Sequence, residues 1–461
     1  MFAAEIYRKR RIGLKKLMKE GVLLFLGNEE SPMNYPANPF HFRQDSTFLY
    51  YWGLDEPGLA AVIDLDNDRE IIFGYDFTID DIIWMGPQPT LKQRAGKAGV
   101  KNSSPTGELN EYLLDVMRKD RKVHYLPQYR SDSLVKIENL LGIHPRFVNN
   151  HVSVPFIKAV VRQRAIKSSE EVKDIEVALE IAREMHIYAM KYTEPGKTER
   201  EIAGAVEGIA LSRGWGLSFP IIFSIHGETL HNHYHGNIMK KGQIAVNDSG
   251  AESLNHYASD ITRTIPVSGK FTAQQTEIYE IVLKAQLSAI DAMKPGKKFL
   301  DVHLLACKII AQGLIDMGIM KGNASEAVKQ GAHALFMPHG LGHMMGLDVH
   351  DMENLGEQYV GYDEKTKRSD QFGLAYLRMA RELEQGHVMT VEPGIYFIPE
   401  LIDLWESEKK HSAFIDYHKV KSFRNLGGIR IEDNVLITRD DHRVLGKPIP
   451  KSIPEVEAAC S

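Results

Sequence analysis

Four strand-like segments in the second half of the chain each carry an acidic residue among strongly apolar neighbours. The segments are GQIAVNDSGAE, YASDITRTIPV, GHVMTVEPGIYFI and GGIRIEDNVLIT, and their acids are Asp248, Asp260, Glu392 and Glu432. An apolar interior strongly disfavours a carboxylate unless a cation lies beside it. In the last segment, alternation along a strand places Arg430 on the same face as Glu432, so an ion pair is the simplest interpretation. Each acid taken alone is accordingly interpreted as a paired or turn residue.

The four acids taken together indicate something different, because clustered carboxylates repel one another unless cations neutralise them. The segment MPHGLGHMMGLDVHD, residues 337–351, adds histidines, and its glycines argue against a helix that displays His339 and His343 together. Oxygen-rich ligands with one imidazole suit Mn²⁺, Co²⁺ or Zn²⁺. Two such ions bridged by carboxylates activate water for hydrolysis. No HExxH motif is present, which excludes the helical single-zinc peptidase arrangement.

Length and charge restrict the class of protein further. A chain of 461 residues is too long for one ordinary core, so two or more domains are predicted. The net charge of -5 gives no reason to expect a nucleic acid or an anionic membrane as partner, and no apolar run approaches the roughly 20 residues of a membrane helix. Only two cysteines occur, Cys307 and Cys460, so a disulfide framework is excluded and a reducing cytoplasm is predicted.

Local patterns divide the chain into two parts. The segment GVLLFLG predicts one buried strand, and LAAVIDLDNDREIIFGYDF predicts two more that are joined by an Asp-Asn-Asp turn. Together they indicate an α/β domain. Ser168 with Glu171 forms a capping box before a helical pattern, and Thr198 with Glu201 forms a second one that opens a helix ending at Gly214. The domain boundary is therefore placed just before Ser168.

In their order along the chain, the motifs resemble those of the metallopeptidase family that contains aminopeptidase P, prolidase and methionine aminopeptidase. DSGAESLNHYASDITRT resembles its two-aspartate hairpin, HGLGHMMGLDVHD its histidine segment, and TVEPGIYFI and GGIRIEDNVLIT its two glutamate strands. NPFHFRQDSTFLYYWGLDEPG resembles the accessory domain that methionine aminopeptidases lack. The resemblance implies an α/β (α+β) fold, with a mixed-sheet accessory domain at 1–165 and a pita-bread catalytic domain at 166–461.

The resemblance also implies a dinuclear metal site, with Mn²⁺ expected and Co²⁺ or Zn²⁺ as alternatives. The implied ligands are Asp248, Asp260, His343, Glu392 and Glu432, of which Asp260 and Glu432 would bridge the two ions. One departure concerns spacing, since the two aspartates lie twelve residues apart where the family usually has eleven. We place the additional residue in the turn near SLN, which affects the hairpin more than the ligands.

Further residues receive roles through the same resemblance. Glu392 would take a proton from a metal-bridging water, which attacks as hydroxide, and pass it to the leaving nitrogen, while His350 would stabilise the oxyanion. His339 would line the pocket, with a hydrogen-bonded structural histidine as an equal alternative. In LHNHYHGN, the distance to Asp248 and the preceding Leu favour His231 as the active-site histidine, whereas the following Tyr favours His233.

The implied reaction is hydrolysis of the peptide bond before proline. Arg378 in AYLRMARELEQG resembles the prolidase arginine that holds the proline carboxylate, although a surface ion pair is the ordinary explanation for such a residue. A long segment between Glu392 and Glu432 also favours prolidase over aminopeptidase P, the alternative that acts on longer peptides. Arg430 would orient Glu432. A metal-free binding protein of this fold is disfavoured because all five ligands are present.

The family is commonly dimeric, so a homodimer is expected. Trp84 in DIIWMGP is an aromatic residue of the kind that reaches a neighbouring subunit, but we interpret it as a packed core residue.

Overall fold

The computed structural model describes residues 1–461 and divides into two compact units. The first unit comprises Met1–Arg164 and Met352–Tyr359, and the second comprises Ala165–Asp351 and Val360–Ser461. The short segment Met352–Tyr359 thus joins the first unit, although the boundary drawn from the sequence places it with the second domain. Every residue proposed for metal or substrate binding lies in the second unit.

The first unit is built on a five-stranded mixed sheet in the order β4-β3-β2-β1-β5. Its strands are β1 (Val22–Leu26), β2 (Ala60–Asp64), β3 (Arg69–Gly74), β4 (Asn102–Pro105) and β5 (Val123–His124). Strands β2 and β3 pair antiparallel, which confirms the predicted hairpin, while β4 and β5 join the sheet in parallel. Its helices are α1 (Ala4–Leu17), α2 (Ser46–Trp52), α3 (Ile79–Met85), α4 (Leu91–Lys97), α5 (Glu108–Arg118), α6 (Ser131–Leu141) and α7 (Val154–Arg164), with a 3-10 helix at Pro145–Asn150 and another at Glu353–Leu355.

Arg11, a basic residue of helix α1, binds polar groups in the interior of this unit. Arg11 is fully buried and donates hydrogen bonds to the carbonyl oxygens of Tyr51 at 2.8 Å and Ala98 at 3.0 Å. Its Nε lies 2.9 Å from a carboxylate oxygen of Glu70. The guanidinium therefore satisfies backbone groups that would otherwise be buried without partners.

The interpretation of Trp84 as a core residue is wrong. Its side chain is 86% exposed, and no residue of helix α3 is buried. A capping box closes the start of this helix, because Thr78 and Asp81 exchange hydrogen bonds. Local capping thus forms the helix without an apolar face packed against the sheet.

The second unit consists of helix pairs followed by short strands. Its helices are α8 (Ser169–Tyr192), α9 (Glu199–Arg213), α10 (Ala273–Asp291), α11 (Phe299–Asp316), α12 (Ala324–Gln330), α13 (Glu357–Val360, at the junction of the units), α14 (Pro399–Ser407), α15 (Tyr417–Lys421) and α16 (Ile453–Ala459). Two further 3-10 helices occur at Ala332–Leu335 and Leu374–Tyr376. None of the helices of the chain combines the length and the apolar composition that crossing a bilayer requires.

The strands of this unit form several small sheets. They are β6 (Gly216–Leu217), β7 (Ile222–Ser224), β8 (Ile244–Ser249), β9 (Ala251–Glu252), β10 (Ile261–Pro266), β11 (Val388–Val391), β12 (Gly394–Tyr396), β13 (Gly428–Arg430), β14 (Asp433–Ile437) and β15 (His442–Val444). The sheets are β10-β8-β7, β11-β14-β15, β12-β13 and β6-β9. Both predicted capping boxes are present, at Ser168 with Glu171 and at Thr198 with Glu201, and α9 ends at Gly214 as predicted.

Each predicted glutamate strand is split in two at its glutamate. Glu392 and Pro393 separate β11 from β12, and Glu432 lies in the gap between β13 and β14. Pro393 has no N–H to donate to a strand ladder. The Glu392 N–H instead donates to the Leu341 carbonyl at 2.8 Å, and the Glu432 N–H donates to the Thr262 carbonyl at 3.0 Å. These breaks tie the glutamates to the histidine segment and to the aspartate hairpin.

Glu432 and Asp433 are adjacent in sequence but have opposite surroundings. Asp433 lies 2.7 Å from Arg263 and 2.6 Å from Lys451, and these cations lower its pKa to about 2 although burial alone would raise it. Arg263 is 1% exposed, and this carboxylate compensates its buried charge. Asp433 is thus a buried ion-paired acid, whereas the acid beside it, Glu432, has no ion pair.

Replacing Asp433 with Asn is expected to destabilise folding by about 3 kcal/mol or more, because it leaves the buried Arg263 charge uncompensated. In the wild type, the stabilisation that this ion pair gives is complete above pH 3.8, the ordinary pKa of an aspartate. It is lost progressively as the pH falls toward about 2, the lowered pKa of Asp433. Urea unfolding at several pH values measures both effects. Asp440→Asn, at an exposed position, is the matched control and should change stability by less than about 0.5 kcal/mol. Equal effects of the two substitutions would contradict the assignment.

Candidate metal centre and active site

Two aspartates project from one face of the β8–β10 hairpin. Asp248 lies opposite Thr262, and Asp260 precedes β10 two residues before Thr262, so the three side chains share a face. The hairpin closes over residues 253–257, where the Ser253 N–H donates to the Tyr257 carbonyl at 2.9 Å. The SLN residues, where the additional residue was placed, lie in this turn. A longer turn therefore leaves the register between the two aspartates unaffected.

The histidine segment and the glutamates meet this face. Nε2 of His343 lies 3.4 Å from Oδ2 of Asp260 and 3.5 Å from Oε1 of Glu392. Donor atoms of Asp260, His343 and Glu432 all lie within 4.8 Å of one another, and all three residues are buried. Nδ1 of His343 is 3.0 Å from the Met344 carbonyl, which assigns the ring proton to Nδ1 and leaves the Nε2 lone pair facing the carboxylates.

Burial and neighbouring carboxylates both disfavour the ionised forms of these acids. Burial raises the pKa of Glu392 to about 7, against the opposing effect of His343 and with a further increase from Asp260. Burial and the charge of Asp248 raise the pKa of Asp260 well above its usual range. Burial, together with Asp260 and Glu392, does the same to Glu432. These acids therefore need additional positive charge to stay ionised near neutral pH.

Three carboxylate oxygens in this cluster are buried and have no hydrogen-bond partner. They are Oδ1 of Asp248, Oδ1 of Asp260 and Oε1 of Glu432. Each buried acceptor left without a partner costs on the order of 1–3 kcal/mol, and charged groups cost more. Oxygen atoms of this kind beside one imidazole match the ligands of a hard or borderline divalent ion. The donor set thus fits the divalent metal that the sequence predicts.

Arg430 forms hydrogen bonds with several residues of the carboxylate cluster. Its guanidinium donates to Oδ2 of Asp248 at 2.5 Å and to the Tyr396 hydroxyl at 2.8 Å. Its Nε donates to Oγ1 of Thr262 at 3.1 Å, and the Thr262 hydroxyl donates to Glu432 at 2.8 Å. The simplest interpretation, an ion pair between Arg430 and Glu432, is therefore wrong, because Arg430 pairs with Asp248 and reaches Glu432 only through Thr262. Because β13 ends at Arg430, its side chain reaches Asp248, and Thr262 stands between it and Glu432.

His339 is both a pocket residue and a hydrogen-bonded one, so the two alternatives for it coincide. Its Nδ1 donates to the Gly340 carbonyl at 2.7 Å, and its Nε2 accepts from the Tyr396 hydroxyl at 2.9 Å. Burial and the charge of Arg430 lower the pKa of His339 to about 4, so the imidazole is neutral. Tyr396 thus connects Arg430 to His339 by accepting from one and donating to the other.

A cavity of about 240 Å³ opens over the carboxylates and contains the remaining proposed substrate residues. His231, His233, His350 and Arg378 line it. The His350 ring lies edge-on to His343, with ring centroids 4.2 Å apart. Desolvation lowers the pKa of His231, with Asp248 opposing the shift and Arg430 adding to it. Nδ1 of His233 is instead 3.4 Å from the Ile221 carbonyl.

Four residues of the site were missed in the sequence. They are Thr262, Thr390, Tyr396 and Asn434. Thr390 accepts from the His343 N–H at 3.0 Å, and Asn434 clamps the backbone of Asp260 by donating to its carbonyl at 2.6 Å. Each lies two or four residues from a predicted ligand, so the period of a strand was the available signal.

Removing divalent metal is expected to make the stability of the folded protein fall as pH rises from about 4.5 to about 7. Over this interval the unfolded chain loses the Glu392 proton while the folded chain keeps it, because the pKa is raised from 4.5 to about 7. One retained proton gives a slope on the order of 1.4 kcal/mol per pH unit. Thermal unfolding of chelator-treated protein, with and without Mn²⁺, measures this slope. Glu392→Gln should lower the slope by about the share of one proton, because Asp260 and Glu432 also keep protons in the folded chain. A metal-free protein that gains stability over the interval would contradict the electrostatic account.

Comparisons with known proteins identify the family of the chain. Residues 173–439 match the model of metallopeptidase family M24, and residues 7–125 match that of the aminopeptidase P N-terminal domain. The chain is 33% identical over 448 residues to a Xaa-Pro dipeptidase of Homo sapiens, covering 95% of this chain and 88% of that protein. It is 34% identical over 428 residues to a "Probable Xaa-Pro aminopeptidase" of Fusarium vanettenii, covering 92% of this chain and 88% of that protein.

A solved structure of aminopeptidase P from E. coli with the inhibitor Pro-Leu matches the whole chain. The TM-score is 0.80 at 27% identity, and the match covers 100% of this chain and 98% of the other. The expected α/β fold, with an N-terminal accessory domain before a pita-bread catalytic domain, is confirmed. The chain therefore belongs to metallopeptidase family M24 and is a metallopeptidase with an N-terminal domain of the aminopeptidase P type.

Proposed function

We propose that this chain is a dinuclear metallopeptidase that cleaves Xaa-Pro dipeptides. The observation that carries the proposal is the placement of Arg378 in the same small cavity as the carboxylate cluster. A dipeptide has a positive amine at one end and a negative carboxylate at the other. A cavity lined by both acids and the Arg378 guanidinium suits both ends, and the planar guanidinium matches a carboxylate best.

The two ions would be held by Asp248, Asp260, His343, Glu392 and Glu432, with Mn²⁺ proposed first and Co²⁺ or Zn²⁺ as alternatives. When bound, such ions supply an acidic water and polarise the substrate carbonyl. The unpartnered oxygens of Asp248, Asp260 and Glu432 support this assignment.

The protein groups account for the proton traffic and the charge of the reaction. Glu392 lines the cavity, and the rise of its pKa toward neutrality suits a group that accepts a proton and returns it. The leaving group is the secondary amine of proline, which departs only after it is protonated. His350 and His231 are proposed to stabilise the developing oxyanion and to orient the substrate. His339, held neutral between Gly340 and Tyr396, is proposed to shape the wall near the reacting bond.

A second candidate is an aminopeptidase P that releases the first residue of longer peptides. The full-length structural match to aminopeptidase P from E. coli and the 34% identity to the Fusarium protein favour it. A metal-free binding protein accounts poorly for the three unpartnered carboxylate oxygens. A homodimer and a reducing cytoplasm stay predictions from the sequence.

Hydrolysis of Ala-Pro and Ala-Pro-Ala in the presence of Mn²⁺ distinguishes the two peptidases. The dipeptide should be cleaved with the higher kcat/KM, because its proline carries the free carboxylate proposed to pair with Arg378, whereas the proline of Ala-Pro-Ala has an uncharged carbonyl in that place. Chromatography of the released proline and Pro-Ala measures the rate of cleavage of each peptide. A preference for Ala-Pro-Ala would replace the prolidase assignment with aminopeptidase P, and cleavage of neither peptide with any divalent metal would reject both.

Replacing Arg378 with Met is expected to lower kcat/KM for Ala-Pro by about 10- to 100-fold, since a charge-assisted hydrogen bond contributes about 1.5–3 kcal/mol. Cleavage of Ala-Pro-Ala should fall much less. Arg381→Met is the matched control, because Arg381 bonds to the Val360 carbonyl and to Glu384 and does not line the cavity. Equal losses on the two substrates would exclude the carboxylate role of Arg378.

A further inference from the structure

A second cluster of metal-binding side chains lies in the interior, away from the carboxylate cavity. His303 and Cys307 are one turn apart on α11, and His333 lies on the 3-10 helix Ala332–Leu335. All three are at most 1% exposed. One ligand atom from each lies within 4.8 Å of the other two, and Sγ of Cys307 is 3.4 Å from Nε2 of His303. None of them lines the cavity over the carboxylates.

His333 is the residue that an ordinary core does not explain. Both of its ring nitrogens are buried and have no hydrogen-bond partner. A neutral imidazole carries one N–H donor and one acceptor lone pair, and burying either without a partner is unfavourable. A buried polar side chain without partners indicates a water or an ion at that position. A Cys307–His303 hydrogen bond accounts for two members of the cluster and leaves His333 unexplained.

Burial sets the protonation states of the three side chains in the metal-free protein. Burial lowers the pKa of His303 to about 3 and that of His333 to about 4, so both rings are neutral and offer lone pairs. Burial raises the pKa of the Cys307 thiol well above its usual range, so this thiol is not a thiolate nucleophile. Ligation of a metal ion would remove the thiol proton and place the thiolate beside a positive charge.

The donor set differs in kind from the carboxylate cluster. Two imidazole nitrogens and one sulfur form a soft site, which selects thiophilic ions rather than Mn²⁺. We propose that His303, Cys307 and His333 bind one thiophilic ion, Cu⁺ or Zn²⁺, as a structural site separate from the dinuclear centre. A monovalent ion with one thiolate has no net charge, which suits an apolar interior. Zn²⁺ would keep one net positive charge and take a fourth ligand.

The site would connect two elements near the active-site wall. The 3-10 helix that carries His333 leads directly into the segment of His339 and His343, and its Ala332–Leu335 turn packs against α11. An ion held between α11 and this turn would fix the start of that segment. Its contribution would therefore be to the stability of the fold, and it takes no part in the chemistry of peptide cleavage.

Cobalt substitution tests the proposal in the full-length protein. Reduced, chelator-treated protein is dialysed against Co²⁺, and the near-ultraviolet spectrum is recorded together with the bound metal per chain. A thiolate ligand gives a sulfur-to-cobalt charge-transfer band, which carboxylates and imidazoles do not give. The wild type and Cys460→Ser should show this band and retain one more ion per chain than Cys307→Ser. Cys460 is the matched control because the chain has only these two cysteines.

Three results would overturn the proposal: no band in the wild type, a band that persists in Cys307→Ser, or a band lost in Cys460→Ser. X-ray absorption at the cobalt edge shows whether a sulfur atom ligates the ion in the wild type. This measurement decides between the outcomes even if Cys307→Ser does not fold. Parallel dialysis against Zn²⁺, or against Cu⁺ under reducing conditions, identifies the ion by retained metal. Retention of neither ion above the level of Cys307→Ser also rejects the site. Because thiolate ligation is read without peptide substrate, the result is independent of the proposed peptidase activity.

Discussion

Mutual repulsion among buried carboxylates is the constraint on which the second unit depends. Asp248 has the guanidinium of Arg430 beside it, but burial raises the pKa values of Asp260, Glu392 and Glu432, and a neighbouring carboxylate raises each of them further. The backbone is arranged to bring these charges together, since both glutamate strands break at their glutamates and bond instead to other segments. A fold that assembles such a cluster is complete only with additional cations, which joins metal binding to stability.

Arg430 explains how the protein controls this charge without neutralising all of it. The guanidinium is always charged and has several donors in fixed directions, so it holds Asp248, Tyr396 and Thr262 at once. Through Tyr396 it orients His339, and through Thr262 it orients Glu432. The oxygens that it leaves unpaired are those that fit a metal. One cation of the chain therefore determines which carboxylate oxygens remain available.

Much of the site could be predicted from the sequence because its signals are local. The order of the motifs, the β2–β3 hairpin and the capping boxes each depend on a few neighbouring residues. The partner of Arg430 and the breaks at Glu392 and Glu432 depend on contacts between segments distant in sequence, which no local period specifies. The exposure of Trp84 was missed for a related reason, since an apolar pattern does not reveal whether a partner surface exists. His333 gave no sequence signal at all.

Glu432 and Asp433 are adjacent but face opposite surroundings, and this limits where the chain tolerates changes in length. A shift of β14 by one residue would turn Asp433 toward the carboxylates and Glu432 toward Arg263, exchanging an ion-paired acid with one that repels its neighbours. An inserted residue within β14 would therefore disrupt both environments at once. The turn at residues 253–257 and the long segment between β12 and β13 lie outside any such register. Insertions and deletions in related chains should accordingly accumulate in those two places.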